Sequence, residues 1–143
     1  MRWTSVRTIN AAPDRVFRAV GDPEEFQKAI PGGSSVEYLT AGHSGVGTKF
    51  RSTRLVKGKP QSFEQEVTEF VAGERVRMVN VTHGTLWDST FSVRPGDGGS
   101  VLTLAMDAVT DRLLARVMTR LIARMVQKAL DQDMDAVKAY CER

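Results

Sequence analysis

The last third of the chain, Thr110 to Glu142, carries one helical pattern, and a helix of that length constrains everything before it. Leu114, Met118, Leu121, Ile122, Met125, Val126, Ala129, Ala136, Val137 and Tyr140 project onto one broad arc. Arg116, Arg120, Arg124, Gln127, Asp131 and Lys138 occupy the opposite one. At ~1.5 Å per residue such a helix runs roughly 45 to 50 Å, about the width of a small domain. Its apolar arc must lie on something, and the only partner the chain offers is a large antiparallel sheet. A sheet that curls around one helix tends to leave a cavity between them.

The 109 residues before it supply that sheet; the whole chain has 143, of which 41% are hydrophobic and 26% charged. This suits a single domain, 1–143, that can bury roughly two-thirds of its unfolded surface. Trp3 to Asn10 alternates as a strand. Ala12-Pro13-Asp14 then opens a short helix with proline at its first position, and Asp22-Pro23-Glu24-Glu25 opens another, with an N-cap and two acids in its first turn. Pro31-Gly32-Gly33 stops that second helix after Ile30. Strands are predicted at 35–40, 47–57, 61–71, 75–83, 86–94 and 101–109, separated by turns such as Lys57-Gly58-Lys59-Pro60, His83-Gly84 and Pro95-Gly96-Asp97-Gly98-Gly99. The fold class is α+β: seven antiparallel strands, two short helices after the first strand and one long C-terminal helix.

Period-2 alternation assigns the faces of these strands. Phe50, Ser52, Arg54 and Val56 share one face; so do Phe63, Gln65 and Val67; Val76, Met78, Asn80 and Thr82; Trp87, Ser89, Phe91 and Val93; Leu102, Leu104, Met106 and Ala108. Placed toward the long helix, these faces are apolar but include Arg54, Gln65, Asn80 and Thr82, the composition of a lined cavity rather than of a closed core. The expected ligand-binding wall is therefore Phe50, Arg54, Met78, Trp87, Phe91, Leu104 and Met106 from the sheet, with Met118, Ile122 and Met125 from the helix. Methionines suit a surface that adapts to varied apolar ligands, and they serve core packing equally well.

Reactive chemistry is sparse. Cys141, the one cysteine, excludes an internal disulfide, and two histidines without a ligand-spaced acid make no metal site. His43 falls in a Gly-rich turn, and Gly45-Val46-Gly47 leads into a strand rather than into a helix that could cradle phosphate. Asp88 and Asp107 have the parity of the solvent face. The candidates for chemistry are Arg54, as an anion-binding or electrophilic group, and His83, as a base at a strand end. No cofactor and no metal are implied.

Net charge is +3 and the pI about 9.3, too mild to imply nucleic acid without a localised patch. Arg112, Arg116, Arg120, Arg124 and Lys128 nevertheless recur every fourth residue with no acid between them. They stand where the helix macrodipole prefers acids, so helix stability does not account for them. A solvated face and a contact with an anionic membrane, or with a regulatory partner, are the two readings, and no stacking platform of aromatic residues supports nucleic acid. Met1 to Asn10 lacks the apolar stretch of a signal peptide and no run approaches ~18 apolar residues, so a cytoplasmic location is expected.

The ordered series Ile9-Asn10-Ala11-Ala12-Pro13-Asp14-Arg15-Val16-Phe17, Asp22-Pro23-Glu24, Pro31-Gly32, Gly45-Val46-Gly47-Thr48-Lys49-Phe50 and Glu66-Val67-Thr68-Glu69-Phe70 resembles the START/Bet v 1-like (SRPBCC) superfamily over essentially the whole chain. The resemblance is to its polyketide cyclase/dehydrase and lipid-transport branch. It implies a helix-grip fold enclosing a pocket for lipids, polyketides or other hydrophobic small molecules. Binding or transport of such a molecule is the first expectation. An aromatase/cyclase or dehydratase acting in the same cavity is the alternative, since fold alone does not choose between them.

Overall fold

In a computed structural model describing residues 1–32 and 34–143, strand β1 (Arg2–Ile9) leads into helices α1 (Pro13–Gly21) and α2 (Pro23–Ala29). Six strands follow: β2 (Ser35–Tyr38), β3 (Lys49–Val56), β4 (Lys59–Val71), β5 (Arg75–Thr82), β6 (Thr85–Gly96) and β7 (Gly99–Val109). Two helices, α3 (Leu113–Leu121) and α4 (Ala123–Cys141), complete the chain. The strands form one antiparallel sheet in the order β1-β7-β6-β5-β4-β3-β2. This is the helix-grip architecture.

Local sequence explains the connections. Asp22 caps α2, its carboxylate accepting from the Glu24 N–H (3.0 Å), and the helix stops at Ile30, which precedes Pro31 and is extended at φ −86, ψ 123. Gly33, the last residue of the expected stop, lies outside the described residues. The hairpins β3–β4 and β5–β6 turn on Lys57-Gly58 and His83-Gly84, where all four residues have positive φ (53, 79, 52 and 77). Those are two-residue turns with both central residues left-handed, the type that matches strand twist. One extra residue, Thr68, bulges β4 where its register with β5 shifts. Beyond the Glu66–Val79 pair, β4 bonds only to β3, so β4, β3 and the short β2 leave β5 together as an arm, two-stranded only at its tip from Arg54 to Gln61.

The expected single C-terminal helix is two helices. The joint at Ile122 (φ −98, ψ 5) carries neither proline nor glycine. Its cause is the fit of α4 to β1. The Trp3 indole donates to the Ala123 carbonyl (3.0 Å) at one end, and Glu142 accepts from the Asn10 N–H (2.8 Å) at the other. Seven strand steps span about 24 Å and nineteen helix steps about 28 Å, so α4 already covers the length of β1 and any helix preceding Ala123 overruns the sheet.

Along this seam α4 uses polar side chains expected on its outer face. Gln127 and Lys138 donate to the Thr4 and Thr8 carbonyls (3.1 and 2.7 Å), Arg7 itself donates to the Val6 carbonyl (2.9 Å), and Ser5 donates to Asp131 (2.6 Å). The outward carbonyls of an edge strand are thereby satisfied, which keeps β1 from pairing with another chain. Leu130, Met134, Val137 and Cys141 form the buried stripe of α4, packed with Ile9, Val16, Val20, Val76 and Leu102 in one core.

Candidate functional site

Beside that core the inward face of the sheet is left partly uncovered, and the gap is a partly open cavity of about 410 Å³. Sheet register arranges its wall in rows. Nearest α1 and α2 lie Phe91 and Leu104, beside the buried Val76, then Met78, Ser89 and Met106, beside the buried Val67. Next come Phe50 and Gln65 on the arm with Asn80 and Trp87 on the main sheet, then Ser52 and Phe63 with Thr82, and last Arg54. From α2 and α4 the cavity receives Phe26, Ile30, Val126, Ala129, Leu130 and Asp133. Along the sheet, polarity thus rises from Phe91, Leu104 and Met106 to a rim of Gln65, Asn80, Thr82, Arg54 and Asp133, while Gln27 of α2 and Ser34 add polar groups at the α2 end.

Aromatic contacts stiffen the apolar part. Trp87 stacks on Trp3 behind it (5.9 Å between centroids, 19° between planes), and Phe26 tilts against Phe91 (5.8 Å). Such rings hold the wall open more firmly than flexible side chains would.

At the polar end Arg54 makes a bidentate pair with Asp133, Nη1 to Oδ2 at 3.0 Å and Nη2 to Oδ1 at 2.7 Å. The pair joins the β3–β4 arm to α4 across the cavity. The hydrogen bond that it donates to Asp133 holds the Arg54 guanidinium above its ordinary pKa, outweighing the opposing effect of burial, so the arginine stays charged. Thr82 donates to Asn80 Oδ1 (3.0 Å), which leaves the Asn80 amide N–H groups free to point elsewhere. The rim can therefore offer donors to an oxygen-bearing group, with a guanidinium among them.

Seven of the ten expected wall residues line the cavity: Phe50, Arg54, Met78, Trp87, Phe91, Leu104 and Met106. Met118, Ile122 and Met125 do not. Met118, 52% exposed, lies in α3 where the chain has overrun the sheet, and Met125, 59% exposed, lies within α4 but on a side of it other than the one from which Val126 lines the cavity. His83 stands at the expected strand end but does not line the cavity: it is exposed at the β5–β6 turn, where its backbone is left-handed, a conformation that histidine tolerates better than most residues. Asp88 lies on the outer face as expected, paired there with Arg77 (2.6 Å). Asp133 escaped the sequence reading, although it completes an i, i+3, i+4, i+7 series with Val126, Ala129 and Leu130. Among the described residues no cluster of acids, histidines and cysteines could hold a metal ion, and no helix is long and apolar enough to cross a membrane.

Comparison with solved structures finds the same fold in chains of low identity. Protein CV1439 from Chromobacterium violaceum superposes with a TM-score of 0.75 at 22% identity, covering 99% of this chain and 98% of that one. The structure of Ara h 8.0201 gives 0.76 at 19% identity, covering 99% and 97%. The di-domain ARO/CYC BexL from the BE-7585A biosynthetic pathway gives 0.80 at 16% identity, covering all of this chain and 50% of that one. A comparison with curated proteins finds no match. A graded, apolar cavity in this architecture and a family model matching residues 2–142 agree, and the chain belongs to the polyketide cyclase/dehydrase and lipid transport family.

Proposed function

We propose that the protein binds or carries a hydrophobic small molecule, lipid- or polyketide-like, in the cavity between sheet and α4. The observation that carries this reading is the gradient along the wall. Apolar rings at the α2 end suit a hydrocarbon or polycyclic body, and the Arg54 end suits an oxygen-bearing head group such as a carboxylate, enolate or phenolate. A volume of about 410 Å³ falls in the range of small-molecule sites. Phe50, Met78, Trp87, Phe91, Leu104 and Met106 serve as the apolar contacts and Arg54 as the polar anchor.

Native mass spectrometry of gently purified protein tests this directly. The expected result is a co-purifying species, of a mass that the cavity can enclose, that is lost on mild activation. Protein that arrives empty and takes up neither a medium-chain fatty acid nor a polycyclic phenol would falsify the reading.

A cyclase or dehydratase in the same cavity is the second reading, favoured by one observation: Asp133 places a carboxylate on the wall. Both of its oxygens are engaged by Arg54, which suits positioning better than proton abstraction, so binding takes precedence. Conversion of a poly-β-ketone analogue by the purified protein, abolished in Asp133→Asn, would reverse that order.

A further inference from the structure

Helix α3 is inside out. On a helical wheel Leu113, Leu114, Val117, Met118 and Leu121 fall within one arc of ~140°. That arc faces solvent: these residues are 76, 76, 47, 52 and 73% exposed, whereas Thr119 on the opposite side is buried. Arg112, Arg116 and Arg120 flank the apolar arc, and Arg124 and Lys128 continue the basic series into α4, all exposed. Among the described residues none of these five cations makes an ion pair. Between Arg112 and Leu130 the chain has no acid.

The surroundings extend this surface. Antiparallel register puts the end of β7, the Lys57-Gly58 turn and the His83-Gly84 turn at the same end of the sheet. Leu55, Val56, Val81 and Val109 stand exposed there (54, 44, 72 and 58%), beside Lys57 and Lys59. The rows carrying Thr82 and Arg54, the polar rim of the cavity, lie toward that end too.

We infer that this end of the molecule, with α3 as its principal element, docks on an anionic lipid bilayer. Leucines projecting from a basic rim match an acyl and headgroup boundary, where apolar side chains enter and arginines meet lipid phosphates. A second copy of the chain fits less well. A two-fold contact across α3 would set its arginine row against the same row of the partner, with no acids to neutralise either. The position of the cavity's polar rim at the docked end gives the surface a use, the exchange of an apolar ligand with the membrane.

Vesicle co-sedimentation with full-length protein tests the inference. Vesicles of equal parts phosphatidylcholine and phosphatidylglycerol should retain the protein at low salt and release it as salt shortens the screening length to about 10 Å at 0.1 M. Phosphatidylcholine vesicles should retain much less. Arg116→Gln with Arg120→Gln should weaken partitioning roughly tenfold to thirtyfold. Leu114→Ser with Leu121→Ser should weaken it at low salt as well, whereas a purely electrostatic binder would be unaffected by the leucine changes. Binding of a fatty-acid probe in the cavity should persist in both double variants. The inference is overturned if wild-type protein ignores anionic vesicles at low salt, if the leucine pair changes nothing, or if light scattering shows a dimer that the leucine pair dissolves.

Discussion

If Arg54 anchors an acidic ligand, that ligand must compete with Asp133, and the two partners of the pair should then respond in opposite directions. Arg54→Met removes a charge-assisted contact and should weaken binding of a medium-chain fatty acid by ~1.5 to 3 kcal/mol, about tenfold to a hundredfold. Asp133→Asn frees the guanidinium and removes a like charge from the bound carboxylate. At ~6 Å and an effective dielectric of about 20, that repulsion is nearly 3 kcal/mol. With side chains 36% and 20% exposed for Arg54 and Asp133, solvent screening reduces it to about 1 to 2 kcal/mol, so affinity should rise by roughly tenfold. The methyl ester of the same acid controls for the cavity itself and should change little in either variant. Calorimetry with both probes, and circular dichroism to show that each variant is folded, gives the four numbers needed. A purely structural latch predicts the opposite for Asp133→Asn: equal or poorer binding of acid and ester alike, with loss of stability. That outcome would dismiss Arg54 as an anchor.

Filling the cavity should separate binding from folding: Ser89→Phe places a ring between Met78 and Met106, and the variant should fold while losing uptake of both acid and ester by calorimetry. Met134, fully buried in the α4 stripe away from the cavity wall, should behave as core, with Met134→Ala lowering stability by about 2 to 5 kcal/mol in urea unfolding. Acid should loosen the α4 seam, since the Ser5 hydroxyl lowers the Asp131 pKa, the Asn10 N–H that of Glu142 and the Tyr140 hydroxyl that of Glu25. Groups so depressed stabilise the fold fully above their unfolded values, about 3.9 for Asp and 4.3 for Glu, and lose that contribution as pH falls through the lower folded values. Thermal midpoints should therefore hold steady down to about pH 5 and drop below about 4, with a shallower drop in Asp131→Asn; equal slopes would assign the effect to other carboxylates.

Strand faces were legible because alternation is a local property that the sheet preserves. Phe50, Ser52 and Arg54 on β3, or Trp87, Ser89 and Phe91 on β6, point inward as their parity requires. Turns were legible for the same reason, since Lys57-Gly58 and His83-Gly84 encode their own geometry. The C-terminal helices were not. A single period runs through Leu121, Ile122 and Ala123 without a breaker, and only the length of β1, fixed elsewhere in the chain, determines where the helix leaves the sheet. The cavity-facing phase of α4 was misread in consequence, moving the expected wall from Val126, Leu130 and Asp133 back to Met118, Ile122 and Met125. His83 shows a different limit: a residue chosen for a backbone conformation looks, in sequence, like one chosen for a proton.

The cavity itself follows from how narrowly α4 covers the sheet. Fastened to β1 by Trp3, Thr4, Ser5, Thr8 and Asn10, the helix lies along one margin and, of its described residues, only Val126, Ala129, Leu130 and Asp133 line the cavity. One of these, Ala129, is small and none is aromatic, so modest side-chain volume faces the rings of Phe50, Trp87 and Phe91. On the far side the arm has left β5 beyond Glu66, and its tip, where β3 and β4 run on past β2 as a ribbon of two strands, has few apolar contacts to hold it closed. The Arg54–Asp133 pair supplies the missing contact between arm and helix. A ligand whose head group claims Arg54 must therefore replace that contact with its own body, lying between arm and helix, and a short acid that reaches the guanidinium without filling the floor should bind poorly. Chain length and charge are thus coupled requirements, and fatty acids of increasing length should gain affinity by up to about 0.8 kcal/mol per buried methylene until the floor under α2 is filled, then stop gaining.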